Sequence, residues 1–486
     1  MTLEGYCWPS STERGEPVAL HVSTDAGAFD VEIARQGAAS EIVWRTRDVH
    51  AEDYPTPEDA SANGCGWPAA LEIPVGDWPS GYYSVSLMAG AERADAFLVV
   101  RPNPAERGGI LVVLSTPTWH AYNDWGGPSL YTGGTRVSFE RPFAKGFLVK
   151  PEPIGRMMES EPDKEAMGFR NWARLLGLSD WCGGAGWFTY ERTFTRWAER
   201  NGFRVDVAIA QDLEQHAEIL EGKRLYLSVG HDEYWSRGMR DVFDTFVSRG
   251  GNAAVLSGNT CFWQVRFDEG HRGMTGYKYR ADDDPVLGTS DERSLTGCWS
   301  DRRVARPETS TIGLTFSRGG YSRYGLGAAD SSGAFTVHRP DHWAFAGTGL
   351  QEAQEFGGAD AIVAYECDGC AFEIDARGRP VPTGVDGAPE DLEILASAPA
   401  HLWAQHEQPT RYALEQGDLE TCSVAIYGDT TPEHLAELSD GHAVMAAFER
   451  PGGGSVLNVG VTDWVLGLGD PIVERITRNV LERLSR

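Results

Sequence analysis

Short alternating runs of apolar and polar residues, such as Val18–Val22 and Tyr82–Leu87, recur through residues 1–101 and are broken by Gly, Pro, Asp and Ser. A period of two marks strands buried on one face, so this stretch is expected to form a β-sandwich, immunoglobulin-like or lectin-like. The segment Arg101-Pro102-Asn103-Pro104 is rigid and turn-prone, and it divides the chain into a first domain at 1–103 and a second at 104–486. Past it the pattern changes. Ile110-Leu111-Val112-Val113-Leu114 is a continuous apolar run of the kind that parallel strands covered on both faces display.

Helical and strand patterns then alternate. Phe194, Trp197 and Ala198 share a helical face closed by Gly202, and Phe203, Val205 and Val207 follow with period two. Leu225–Val229 reads as a strand, and Met239, Val242, Phe243, Phe246 and Val247 repeat at helical spacing up to Gly250-Gly251. Ala253–Leu256 is the next strand. Near the end, Ser455–Val459 reads as a strand, and Asp470-Pro471 offers an N-cap and a first-turn proline for a helix bearing Val473, Ile476, Val480 and Leu484. These units predict an α/β fold: a mostly parallel Rossmann-like sheet, similar to class I glutamine amidotransferases, covered by helices. Residues from about 260 to 400 are rich in Gly, Asp and Arg with short apolar runs, and are expected to be a β-rich insertion on that core.

Charge narrows the partners. A formal net charge of −28 repels nucleic-acid phosphates and anionic membrane surfaces, and no window is long and apolar enough to span a bilayer. The amino terminus has neither a basic nor an apolar signal region, so a cytoplasmic protein is expected. Eight cysteines are too sparse for a disulfide framework, and Cys367 and Cys370, the one CxxC pair, lack the second pair that a structural zinc site needs. They read as incidental thiols between two strands.

In open α/β sheets, ligands bind beyond the carboxyl ends of the strands. That rule selects Gly230-His231-Asp232-Glu233-Tyr234-Trp235-Ser236, which packs several ionisable side chains between a buried strand and a helix that Ser236 can cap. His231, Asp232 and Glu233 are candidates for proton transfer, although each also suits a plain role at a helix start. Two other strand ends carry Thr118–Gly127, rich in aromatics and amides, and Ser257-Gly258-Asn259-Thr260, whose Asn259 can hold a substrate carbonyl or close a turn.

The runs TWHAYNDWGG, RWAERNGF, LSVGHDEYWS and SGNTCFW, with RPETSTIGLTF, HWAFAGTGL and VLNVGVTDW, resemble the N,N-dimethylformamidase large-subunit-like family over nearly all of the chain. The resemblance implies an amidohydrolase with one mononuclear Fe(III) held by two tyrosinates and a glutamate. Such hard anionic ligands suit ferric iron, and open positions on it activate water and polarise a carbonyl. Carried onto this sequence, the ligands are Tyr234, within GHDEYWS, Tyr190, ahead of RWAER, and Glu308, in ARPETSTIG, with Glu292 as the other possible glutamate. Glu308 is expected in an exposed polar turn before a strand at Ile312–Phe316. The substrate implied is a small amide, with a homo-oligomer possible. The family's enzyme works with a small helical subunit, and nothing in this sequence resembles that partner.

Two other readings compete. A cysteine nucleophile of the amidotransferase kind is absent from LSVGHDEYWS, and Cys261 lacks a His–Glu partner pattern. A non-catalytic protein that binds a small ligand in the same crevice is allowed by the aromatic richness.

Overall fold

A computed structural model describes residues 2–103, 109–152, 156–157, 168–268, 270–324, 331–407 and 417–486. The junction expected at Arg101–Pro104 runs into 104–108, which lie outside the described residues. The chain divides into two compact units: Met1–Ile154 with Ala173–Lys223 and Phe267–Thr275, and Gly155–Trp172 with Arg224–Arg266 and Gly276–Arg486.

In the first unit, strands β1 (Leu3–Trp8), β2 (Ser11–Thr12), β3 (Val18–Thr24), β4 (Ala28–Gln36), β5 (Ser40–His50), β6 (Ala69–Ile73), β7 (Gly81–Ala89) and β8 (Glu92–Val100) form two sheets. One has the order β1-β3-β6 and the other β2-β8-β7-β4-β5. Alternation explains the arrangement. Val18, Leu20 and Val22 from one sheet, and Val31, Ile33, Val85, Leu87 and Leu98 from the other, turn into a shared core, each burial contributing roughly 1.5–3 kcal/mol. Strand β9 (Ile110–Leu114) pairs in parallel with β10 (Val205–Ile209), from Val205 opposite Ile110 to Ile209 opposite Leu114. Helices α1 (Thr116–Tyr122) and α2 (Glu191–Arg200) belong to the same unit. Polar pins tie this layer to the sandwich: Ser11 Oγ donates to Asp212 Oδ2 at 2.7 Å, Val207 N to Ser80 Oγ at 2.9 Å, and Arg35 grips Glu199.

The second unit holds β11 (Leu225–His231), β12 (Tyr234–Ser236), α3 (Arg237–Ser248), β13 (Asn252–Gly258), β14 (Trp263–Phe267), β15 (Thr315–Tyr321), β16 (Phe335–Val337), β17 (Glu355–Phe356), β18 (Glu366–Gly369), β19 (Glu393–Pro399), α4 (Asp418–Tyr427), β20 (His442–Glu449), β21 (Ser455–Asn458) and α5 (Pro471–Leu484). The helix ends follow local chemistry. Ser236 Oγ accepts from Met239 N at 3.1 Å to start α3, whose Met239, Phe243 and Val247 are buried, and Asp470 Oδ1 accepts from Ile472 N and Val473 N to start α5.

The expected mostly parallel Rossmann-like, amidotransferase-like sheet is not what these strands build. Strand exceeds helix, 31 % against 24 %, and the sheets are mixed or antiparallel. Within this unit the order is β11-β13-β21-β20-β19-β16-β17. The first three strands are parallel, whereas β20, β19, β16 and β17 join antiparallel. The physical reason is that a fully apolar run reports burial on both faces, not direction. Strands β16, β17 and β19, from the stretch read as an insertion, hydrogen-bond into the main sheet. Among the described residues no helix is long and apolar enough to cross a membrane.

Candidate functional site

Every residue of β11 is buried, and the strand ends on His231. The chain then turns through Asp232 and Glu233 into β12. This turn is held by the loop after β13: Cys261 N donates to Asp232 O at 2.8 Å and Trp263 N to Glu233 O at 2.9 Å. That loop is backbone-strained, with Asn259 at φ 49° and Cys261 at φ 59°, left-handed values unusual for residues with a β-carbon. Gly258 explains the close packing, since a β-carbon there would lie 2.5 Å from both Glu366 O and Thr462 N. The small residue lets β18 approach and deliver Glu366.

The side chains of the GHDEYWS turn take different partners. His231 Nε2 lies 2.7 Å from Glu366 Oε2 and 3.4 Å from Glu233 Oε2. Asn259 Nδ2 donates to the same Glu366 oxygen at 3.1 Å, and Trp263 Nε1 donates to Glu233 Oε1 at 2.7 Å. An imidazole is thus set between two buried carboxyl groups, each steadied by a nitrogen donor. Asp232 instead accepts from Ser228 Oγ at 2.7 Å. Burial pushes its carboxyl up to about 6, against the opposing pull of Ser228, Trp235 and His231. Of the three proton-transfer candidates, His231 and Glu233 come together and Asp232 bonds to Ser228 instead.

Lys278 is buried in the same unit, with φ 56°. Its Nζ lies 5.4, 5.3 and 5.4 Å from the ring centroids of Tyr234, Trp263 and Tyr279, within cation–π range. Burial pushes the ammonium down to about 7, while Glu233, Asp418 and Glu366 favour its charged form. Asp418, at the start of α4, accepts from Tyr279 Oη at 3.0 Å and Tyr321 Oη at 3.3 Å. Burial pushes Asp418 up to about 6.

A further pair of carboxyls lies deep in this unit. Thr260 N donates to Asp368 Oδ2 at 3.1 Å, and Asp368 Oδ1 has no hydrogen-bond partner among the described residues. Burial pushes Asp368 up to about 8, helped by the negative charges of Glu308 and Glu366. Glu308 is fully buried, not exposed in a polar turn as its sequence context suggests. Thr309–Ile312 coils into a helical turn, so the following strand is Thr315–Tyr321 in place of Ile312–Phe316. Glu308 Oε2 accepts from Ser300 Oγ, Oε1 has no hydrogen-bond partner among the described residues, and burial pushes the carboxyl up to about 7. Glu292, by contrast, is half-buried and accepts from Gly288 N at 3.3 Å.

Tyr234 is completely buried in β12, its backbone paired with Trp263. Tyr190 belongs to the first unit, where it is buried at the start of α2. Its neighbour Glu191 accepts from Ser115 Oγ at 2.9 Å and Trp119 Nε1 at 3.0 Å, joining α2 to the TWHAYNDWGG segment. Cys261 is buried and its thiol is pushed up by burial, the opposite of what a thiolate nucleophile requires. Cys367 and Cys370 are free and buried, as are all eight cysteines.

Sequence reasoning passed over Glu366, Lys278, Asp368 and Asp418. Glu366 stands directly after the apolar run Ala361–Tyr365, a position where a glutamate calls for a partner, but the neighbouring CxxC drew the reading instead. Lys278 has no comparable local signal, because its burial comes from residues distant in the chain.

The chain matches the family model described as N,N-dimethylformamidase beta subunit-like, C-terminal, over residues 30–478. It is 34 % identical over 70 residues to the N,N-dimethylformamidase beta subunit of Alcaligenes sp, a stretch that spans 14 % of this chain and 9 % of that protein.

Proposed function

The chain belongs to the N,N-dimethylformamidase beta subunit-like family, and from that premise we propose that it hydrolyses the carbon–nitrogen bond of a small amide. The observation that carries the reading is His231 Nε2 set between the carboxyls of Glu366 and Glu233, 2.7 and 3.4 Å away. A departing amine needs a proton, and an imidazole whose partners are carboxylates can take one from water and pass it on. Glu366 orients the ring, as a buried carboxylate does for a catalytic histidine. Asn259, anchored on Glu366, offers an amide dipole for the substrate carbonyl. Lys278 adds positive charge where an oxyanion develops.

The family resemblance adds Fe(III) to the proposal, with Tyr234 and Glu308 as the residues of the second unit that would hold it. Both fit the ion in kind as oxygen donors, and among the described residues Glu308 Oε1 is buried without a hydrogen-bond partner. Among the described residues no three His, Cys, Asp or Glu side chains form a metal cluster, so a centre here would draw on tyrosine. Bound ferric iron supplies Lewis acidity that polarises a carbonyl and acidifies water. A partner subunit is part of the same proposal, because the Alcaligenes protein is named as a beta subunit.

The test is amine release from N,N-dimethylformamide and a panel of small formamides and acetamides by the purified protein, with its iron content determined. Release that depends on His231 and Glu366 is expected. Iron-replete protein that releases no amine from any of them would overturn the reading.

A further inference from the structure

Asp232 stands in the centre of the polar turn yet bonds to Ser228 and not to the His231 imidazole, and its surroundings are unusual. Ser228 Oγ donates to Asp232 Oδ2 at 2.7 Å and lies 2.8 Å from Ser257 Oγ, which lies 2.8 Å from Thr260 Oγ1. Thr260 N in turn donates to Asp368 Oδ2 at 3.1 Å. All of these side chains are buried, between 0 and 2 % exposed. The chain of hydroxyls crosses from β11 to β13, adjacent parallel strands in which Ser228 faces Val255 and Gly230 faces Ser257.

A row of hydroxyls in the middle of apolar strands is costly unless it is satisfied, and here each is satisfied by the next. Apolar side chains at Ser257 and Thr260 would need no partner. The hydroxyls therefore do something that burial alone does not ask for. They lead to one residue on each turn of the site: Asp232, flanked by His231 and Glu233, and Thr260, flanked by Asn259 and Cys261.

We infer that Ser228, Ser257 and Thr260 are positioning residues that lock the His231–Glu233 turn to the Asn259 loop through Asp232. The inference rests on the proposed reading of His231, Glu233 and Glu366 as the reacting groups. Asp232 is then a tether whose carboxyl anchors the turn from behind. The strained Asn259 and Cys261 backbone is joined to the same turn by a separate bond, from Cys261 N to the backbone carbonyl of Asp232 at 2.8 Å. Misplacement of catalytic groups by a fraction of an ångström lowers the rate without loss of substrate binding.

The experiment compares Thr260→Val, which removes the hydroxyl and keeps the shape, with Thr260→Ser, which keeps the hydroxyl. Ser257→Ala provides a second break in the chain. Amide hydrolysis is measured for kcat and KM, and backbone hydrogen exchange is followed by peptide across the second unit. Thr260→Val and Ser257→Ala are each expected to lower kcat about tenfold with KM unchanged, to accelerate exchange selectively at 231–234 and 259–263, and to be non-additive when combined. Thr260→Ser is expected to stay near wild type on every measure. Unchanged kcat and exchange in Thr260→Val would overturn the inference. So would exchange that rises equally through α5, because the hydroxyls would then serve core stability alone. If the wild-type protein hydrolyses no amide, the functional reading fails by itself, and the selective exchange with its rescue by serine still decides whether the tether exists. A Ser257→Ala chain that does not fold leaves the Thr260 pair to decide.

Discussion

The two units bury charge in opposite ways. In the first, buried polar groups are spent on closing the structure. Arg141 is 1 % exposed and donates to the carbonyl oxygens of Ser138, Trp125, His120 and Asn123, Lys223 pairs with Asp206, and Asp212 accepts from Ser11 and from Ile209 N. In the second, Glu366 and Glu233 share His231, while Asp368 and Glu308 each leave an oxygen without a hydrogen bond among the described residues. Saturated networks hold a fold, whereas surplus buried carboxyls cost stability and persist where chemistry uses them. That contrast, more than fold, singles out the second unit as the seat of the proposed proton transfer.

The comparison can be broken most sharply at Glu366. Glu366→Gln keeps the shape and removes the negative charge beside His231, and kcat for amide hydrolysis is expected to fall ~10²–10⁴-fold, the usual scale of general acid–base catalysis. A fall of less than a few-fold, with the thermal transition unchanged, would remove Glu366 from the mechanism.

Arg141→Met tests the first unit. Four carbonyl oxygens lose a donor at once, so a stability loss of about 3 kcal/mol is expected in thermal or urea unfolding. A midpoint equal to that of the wild type would show that this network does not hold the unit together.

Stability against pH separates the units by sign. Burial raises Asp368 from 3.8 to about 8, so the folded state keeps a proton that the unfolded chain releases. The associated stability is fully present below pH 3.8 and is lost as pH rises through about 8. Asp368→Asn should flatten that fall and gain roughly 1–2 kcal/mol at pH 8.5. An unaltered pH profile in urea denaturation would refute the assignment of the slope to this residue.

Lys150 gives the smallest effect, and the reverse slope. Its ammonium donates to Cys182 O and to Thr189 Oγ1 at 2.5 Å, and burial lowers it from 10.5 to about 8. Between those values the unfolded chain binds the proton more tightly, so stability rises with pH across the window. Lys150→Met should remove this rise, an effect of about 1 kcal/mol. A first-unit transition whose pH dependence is the same in the variant would show that Lys150 is not its source.

Local features were readable before any coordinates. The Asp470-Pro471 cap, the Ser236 cap, the helical stripe of Met239, Phe243 and Val247, and the buried run of β11 each depend on residues within a few positions of one another, and the structure places them as the periodicity says. The GHDEYWS turn was also legible as a concentration of ionisable groups after a buried strand. Sheet direction was not, because burial on both faces is the same for parallel and antiparallel neighbours. The strands that make the sheet mixed, β16, β17 and β19, come from a segment whose short runs carry no mark of their partners.

The sequence by itself determined several helix starts, the family, and one polar turn, since propensity, capping and motif all act over short separations along the chain. Only the tertiary structure decided which groups face each other. It set Glu366 against His231 across more than a hundred residues, sank Glu308 out of solvent and enclosed Lys278 among three rings. Each of those outcomes depends on desolvation and on partners contributed by distant strands, quantities that no local pattern encodes.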